Sequence, residues 1–146
     1  MNAVRSLVLD ANILVRGVLG ARVGGLVERY AGAVQLFAPD VAYAEARWHL
    51  PKLMARRGIG ADEAVATLEE FARAVAFLDG AEYRQFEHEA MARIGRRDPR
   101  DWPVLAAALA LGCPIWTEDQ GFFGAGVPTW TTDRVEIFLN DRRWPR

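Results

Sequence analysis

The chain has 146 residues, 51% of them apolar and 25% charged, a length suited to one domain and a composition that excludes collagen-like, disordered and disulfide-scaffold classes. Eighteen basic and 19 acidic residues leave a net charge of -1, which excludes a polycation that grips nucleic acid by bulk charge and gives no membrane-surface signal. The single cysteine, Cys113, rules out an internal disulfide and any multi-cysteine metal site. Only Lys52 among the bases is lysine, and the remainder is arginine, which makes bidentate phosphate binding chemically available. The apolar start Leu7-Val8-Leu9 is cut by Asp10 and is too short for a secretory core. The longest nearly apolar run, Val104 to Trp116, falls below the roughly 18 residues that a membrane span needs. The expectation is one cytoplasmic domain covering residues 1–146, with no membrane partner.

In chain order, Val4 to Leu9 carries apolar residues on both parities, as a strand covered on both faces does. Helices are expected over Asn12 to Leu19 and Val23 to Ala31, then a strand over Val34 to Ala38. Asp40 is suited to N-cap a helix with apolar positions at Val41, Ala44, Trp48 and Leu50 to Met54, and Pro51 should kink or break it. Ala64, Leu68, Phe71 and Val75 have the spacing of an amphipathic helix, Ala76 to Leu78 is a brief strand, and Ala81 to Ile94 reads as one helix. A charged irregular stretch from Gly95 to Asp101 precedes a buried, alanine-rich helix, Trp102 to Leu111, ended by Gly112. A short strand at Pro114 to Thr117, a glycine-rich loop, another strand at Thr129 to Thr131 and a helix from Arg134 to Leu139 complete the chain. Short buried strands alternating with helices predict an α/β domain with a mostly parallel sheet and right-handed crossovers.

In such sheets chemistry gathers at the carboxyl ends of the strands. Asp10 directly follows the first strand, Asp119 follows the strand at Pro114 to Thr117, and Asp101 opens the helix that leads into that strand. Glu45 shares a helix face with Val41 and Trp48, which places a carboxylate on an otherwise apolar side. Several buried carboxylates need a counter-charge, and hard oxygen donors suit Mg2+ or Mn2+. Each acid also has a plainer reading: Asp10, Asp98 and Asp101 as caps, Asp119 as a turn residue, and Glu45 as a buried acid paired with Arg16 or Arg47. Independent caps, however, have no reason to converge. Arg96, Arg97 and Arg100 flank the central acids and are candidates for holding phosphates, although Arg93, Arg96 and Arg97 also suit the C-terminal end of a helix. His49, His88 and Cys113 have no partners at a ligand or catalytic spacing and read as structural or surface residues. Ser6, the only serine, sits inside the first strand, so serine-hydrolase chemistry is excluded. An aspartyl-phosphate domain would place a second aspartate where Asn12 stands.

Leu7-Val8-Leu9-Asp10-Ala11-Asn12-Ile13-Leu14 resembles the opening motif of PIN-domain nucleases. Pro39-Asp40-Val41 to Glu45, Asp98-Pro99-Arg100-Asp101-Trp102-Pro103 and Ile115-Trp116-Thr117-Glu118-Asp119 are similar to the later acidic elements of that family, in the same order. The resemblance runs from residue 7 to about residue 131. It departs from the commoner pattern in the Trp-Pro pair after Asp101, where a small residue is usual. It implies a three-layer α/β/α sandwich with about five short strands, and a Mg2+- or Mn2+-dependent endoribonuclease acting on single-stranded or looped RNA. Carried over by position, Asp10, Glu45, Asp101 and Asp119 form the acidic metal site, Asn12 and Thr117 support it, and Asp98 is an outer member. Small domains of this kind often resemble VapC-type toxins, which implies a homodimer and an antitoxin partner whose groove would involve Trp48, Leu50 and Leu53. The competing expectation is a PIN-like module that binds RNA or protein without cutting.

Overall fold

The computed structural model describes residues 5–140. Val4 and the two ends of the expected 1–146 domain lie outside the described residues. Five strands, β1 (Arg5–Leu9), β2 (Val34–Pro39), β3 (Val75–Leu78), β4 (Ile115–Trp116) and β5 (Thr129–Trp130), form one sheet in the order β3-β2-β1-β4-β5. Every neighbouring pair is parallel, with Leu7 opposite Leu36 and Leu9 opposite Trp116. Pro114 and Thr117 extend the short β4 ladder through backbone bonds to Val8 and Trp130 of 3.0 Å each.

Among the described residues eight α-helices cover the two faces: α1 (Ala11–Leu19), α2 (Ala21–Arg29), α3 (Asp40–Ala55), α4 (Ala61–Ala72), α5 (Gly80–Tyr83), α6 (Glu87–Ile94), α7 (Trp102–Leu111) and α8 (Val135–Asn140). Alternation along the strands explains the three layers. Leu7, Leu9, Leu36 and Trp116 enter the core shared with α1 to α4 and α8, whereas Val8, Phe37 and Ile115 face α6 and α7. Side chains on successive strand residues point to opposite faces, so a strand buried on both sides must be apolar at both parities. The expected α/β/α sandwich is therefore present. Among the described residues no helix is long and apolar enough to cross a membrane.

Several local expectations are corrected. Pro51 does not break α3, which runs unbroken over 16 residues. Asp40 is the first residue of that helix and Pro39 occupies the cap position; the Asp40 carboxylate instead accepts from the Val41 amide and from the Tyr83 hydroxyl at 2.6 Å. The buried face of α3 is Ala42, Ala46, Leu50 and Met54. Val41 and Trp48 lie on the opposite, solvent side, because small alanines let the backbone approach α1 and the sheet more closely than Val or Trp would. Val75 belongs to β3 rather than to the preceding helix. The expected Ala81 to Ile94 helix is split by a 3-10 turn at Arg84–Phe86, with a capping box between Asp79 and Glu82 fixing the first piece. A change of hydrogen-bond register over three residues leaves the apolar spacing unaltered, so the pattern did not reveal it.

The helix α7 lies deepest. Val104 to Ala108 are all buried, and the helix touches β1, β2, β4, α5 and α6. Four alanines in six residues permit this enclosure, and Gly112 ends the helix with a positive φ of 64°. Filling this layer is predicted to be costly: Ala107→Leu should lower the urea-unfolding free energy by about 1–3 kcal/mol through overpacking, whereas Ala110→Leu, at a partly exposed position, should cost less.

Candidate metal centre

The sheet order reverses at β1: β2 and β3 lie to one side of it, β4 and β5 to the other. Helices leaving β1 and β2 pack on one face and α7 on the other, so a crevice opens past the carboxyl ends of β1 and β4. Asp10 is the residue that steps off β1, and it also caps α1, its Oδ1 accepting from the Ile13 amide at 3.0 Å. Its other oxygen accepts a hydrogen bond from the hydroxyl of fully buried Thr117, the residue after β4. The same Thr117 oxygen accepts from the Asp119 amide at 2.9 Å. Two strand ends and one helix start are thus tied together through a single carboxylate and a single hydroxyl.

A polar cleft of about 330 Å³ opens at this point, bordered by Asp10, Asn12, Glu45, Asp98, Asp101, Glu118 and Asp119, with Arg100 at its edge and Val41, Pro103 and Val104 as an apolar wall. Asp101 enters from the start of α7 and comes within hydrogen-bonding reach of Asp119. Burial pushes the Asp10 carboxyl up to about 6, against the hydrogen bonds from Thr117 and Ile13 that favour its charged form, with Asp119 and Glu45 adding repulsion. Asp101 is pushed up to about 7, first by burial and then by the neighbouring charges of Asp98, Asp119 and Asp10. Among the described residues no arginine or lysine forms an ion pair with Asp10, Glu45, Asp101 or Asp119. Among the described residues the one ion pair to a carboxylate of the cleft is Arg100 with Asp98 at 3.4 Å.

The family model described as PIN domain matches residues 8–140. The chain belongs to the PIN domain family. Solved structures agree on the fold. A DNA-bound VapBC from Salmonella typhimurium is similar with a TM-score of 0.70 at 14% identity, covering 88% of this chain and 98% of that one. A protein from Pyrobaculum aerophilum gives 0.69 at 19% identity, covering 94% and 90%. A toxin-antitoxin complex from Klebsiella pneumoniae gives 0.60 at 15%, covering 86% and 97%. No curated protein sequence matches significantly.

Within this PIN domain, the residues expected from the sequence are arranged unequally. Asp10 is buried at the cleft floor, Asp101 is half-buried beside it, and Asp119 and Glu45 border the cleft from exposed positions, so Glu45 is not a buried acid beside an arginine. Among the described residues no three His, Cys, Asp or Glu side chains stand close enough to form a ready-made ion cage. The donor chemistry nonetheless fits a hard divalent cation: carboxylate oxygens, partly desolvated and mutually repelling, with room left for water. Asn12 lines the cleft and holds Arg16 at 2.8 Å. Asp98 caps the 3-10 turn at Pro99–Asp101 through the Arg100 amide at 3.0 Å, and this bond with Arg100's charge holds its carboxyl below the usual range. Asp101 sits at the cap position of α7 but makes no side-chain cap bond, so its plainer reading as a capping residue is not the one adopted.

The three arginines also separate. Arg100 borders the cleft. Arg97 turns away, donating to the Gly121 and Phe123 carbonyls, and with Arg93 on the Ala125 carbonyl it clamps the loop that follows Asp119. A Cβ on Gly126 would lie 2.6 Å from Arg93, and its φ of 87° already favours glycine. Arg96 is exposed and does not border the cleft. Sequence reasoning missed Glu118, which lines the cleft while its Oε1 accepts from the Thr132 amide at 2.7 Å. Its only signal was adjacency to Asp119. His49 and His88 are exposed, and buried Cys113 has its thiol pushed up to about 12 by burial, as expected of inert groups.

The raised carboxyls make a stability prediction for metal-free protein. A group whose folded pKa exceeds its unfolded value of 3.8 stabilises the fold most below that value and loses the contribution as pH rises toward the folded one. For Asp101 that window runs from about pH 4 to about pH 7. Asp101→Asn is therefore expected to raise the urea midpoint in EDTA at pH 8 relative to wild type, with the advantage shrinking as pH falls through this window. An equal effect at pH 8 and pH 4.5 would place the gain elsewhere.

Proposed function

We propose that this PIN domain is a Mg2+- or Mn2+-dependent endoribonuclease and the toxin of a toxin-antitoxin pair. The observation that carries the reading is the convergence of Asp10, Asp101 and Asp119 at the sheet's switch point, none of them ion-paired among the described residues. Asp10, Asp101, Asp119 and Glu45 would hold the metal, which when bound supplies charge neutralisation for a phosphodiester and an acidified water. Thr117 fixes the direction of the inner Asp10 oxygen, and Asp119 is set by its accepted bond from the Gly121 amide at 2.8 Å. Asn12 is a polar support at the cleft rim, and Asp98 acts outside the metal by shaping the turn that presents Asp101.

The helices α1 and α7 both begin at the cleft, where the positive ends of their dipoles favour an approaching phosphate. Arg100 is the arginine placed to grip a phosphate there. Arg96 remains a candidate for more distant contacts, and Arg97 contributes by fixing the Asp119 loop rather than by touching RNA. A recessed cleft favours single-stranded or looped RNA, whose backbone can bend into it, over a regular duplex. The likeness to proteins described as VapBC and as a toxin-antitoxin complex supports an antitoxin partner, and a homodimer in a cytoplasmic setting is part of the same proposal. The mutual distance of the carboxylates favours one further reading, a PIN-like module that binds RNA or protein without cleavage.

Incubation with a panel of structured RNAs separates the two. Cleavage is expected with Mn2+ and not with EDTA, and Asp10→Asn and Asp101→Asn should each lower the rate by on the order of 100-fold or more. Cleavage that survives EDTA, or variants as active as wild type, would refute the metal mechanism. RNA retention without cleavage would favour the binding module.

A further inference from the structure

The solvent face of α3 carries a feature that the acidic cleft does not account for. Val41, Glu45, Trp48 and Lys52 recur at offsets of four, three and four residues and form one stripe along the helix. The first two border the cleft. Trp48, one turn beyond Glu45, is 66% exposed, and it is the one exposed tryptophan among the described residues. The Lys52 ammonium lies 4.4 Å from the centre of its ring. Packing gives no reason for an indole here, because α3 buries its other face through Ala42, Ala46, Leu50 and Met54.

We propose that Trp48 is a stacking platform for a nucleobase of single-stranded RNA whose backbone enters the acidic cleft, with Lys52 meeting an adjacent phosphate. This assignment rests on the nuclease reading of the cleft and names a specificity element for it. An exposed indole beside a cation is the pairing by which single-stranded nucleic acids are held: every base has a face to stack, and the cation meets the backbone. The distances suit it, since one helical turn separates Trp48 from Glu45 at about 1.5 Å per residue, within the span of a single nucleotide. A protein partner or a second copy would be better served by a continuous apolar patch. On its own helix Trp48 is flanked by the exposed polar residues Glu45, Arg47, His49 and Lys52, with Ala44 and Pro51 as small apolar neighbours. A lone aromatic in a mainly polar setting accommodates one base.

The test compares wild type, Trp48→Ala and Trp48→Phe with two fluorescent probes, a 12-nucleotide single-stranded RNA and a base-free ribose-phosphate oligomer of equal length. Binding is read by anisotropy in EDTA, and kcat and KM for the RNA are read with Mn2+. Trp48→Ala is expected to weaken RNA binding and raise KM by roughly 5- to 100-fold with kcat nearly unchanged. Trp48→Phe should recover most of the loss, and the base-free oligomer should bind all three proteins alike. If wild type cleaves no RNA, the nuclease reading fails while the binding arm still decides the platform. Equal RNA affinity of wild type and Trp48→Ala overturns the proposal, as does an equal loss for the base-free probe. So does a loss that appears only with dissociation of a dimer in sedimentation velocity, which would make this face an interface between copies.

Discussion

The carboxylate of Asp10 is the point on which both the architecture and the chemistry of this protein turn. It ends the central strand, caps the first helix through the Ile13 amide, and receives the hydroxyl of Thr117 from the end of the neighbouring strand. Those bonds hold β1 and β4 in the register that brings Leu9 opposite Trp116, and they place Asp119 two residues further on. Both oxygens of Asp10 therefore have a neutral donor, yet neither has a cation. Hydrogen bonds offset part of the cost of burying the charge; the rest shows as a carboxyl pushed up to about 6. At about 1.4 kcal/mol per pH unit, keeping it ionised at neutral pH costs the metal-free fold roughly 3 kcal/mol.

That cost is part of a wider division between rigid and strained regions. The alanine-rich α7 is buried on nearly all sides and delivers Asp101 from a fixed helix start, with Trp102 packed at 5.7 Å against Tyr83 and Tyr83 bonded to Asp40 at the start of α3. The helix bearing Glu45 and the helix bearing Asp101 are thus braced across the sheet by an aromatic pair and one hydroxyl. Arg93 and Arg97 perform the same service for the loop behind Asp119. Well-packed surroundings are what allow like charges to be held near one another without the backbone yielding. The near-neutral net charge of the chain conceals this arrangement. Setting aside Asp10, Glu45, Asp98, Asp101 and Asp119 leaves 14 acids against 18 bases, a mildly basic remainder of +4.

Much of this was legible in the chain itself. Strands apolar at both parities, such as Leu7-Val8-Leu9, can only be covered on both faces, and acids placed just after strands must meet at one sheet edge. The order of the acidic elements then identified the family. What the sequence could not convey were matters of three-dimensional competition. Val41 and Trp48 looked like a core stripe because apolar spacing does not say which of two faces packs, and the smaller Ala42 and Ala46 won the interior. Arg97 looked like Arg100, since both are basic and near the acids; only the fold shows one facing carbonyls and the other facing the cleft. Glu118 was hidden because in a strand-end loop adjacent residues need not diverge as they do within a strand.

The acids past β1 and β4 are proposed to form a cation site, although among the described residues no ready-made cage is present. Anomalous diffraction at the manganese edge, on crystals of wild type grown with Mn2+, tests this most directly. Density is expected in the cleft bonded to Asp10 and to at least one of Asp101 and Asp119, and it should be lost in Asp10→Asn crystals. Density confined to other surface carboxylates, or none in the cleft at a Mn2+ concentration that supports RNA cleavage, would contradict it.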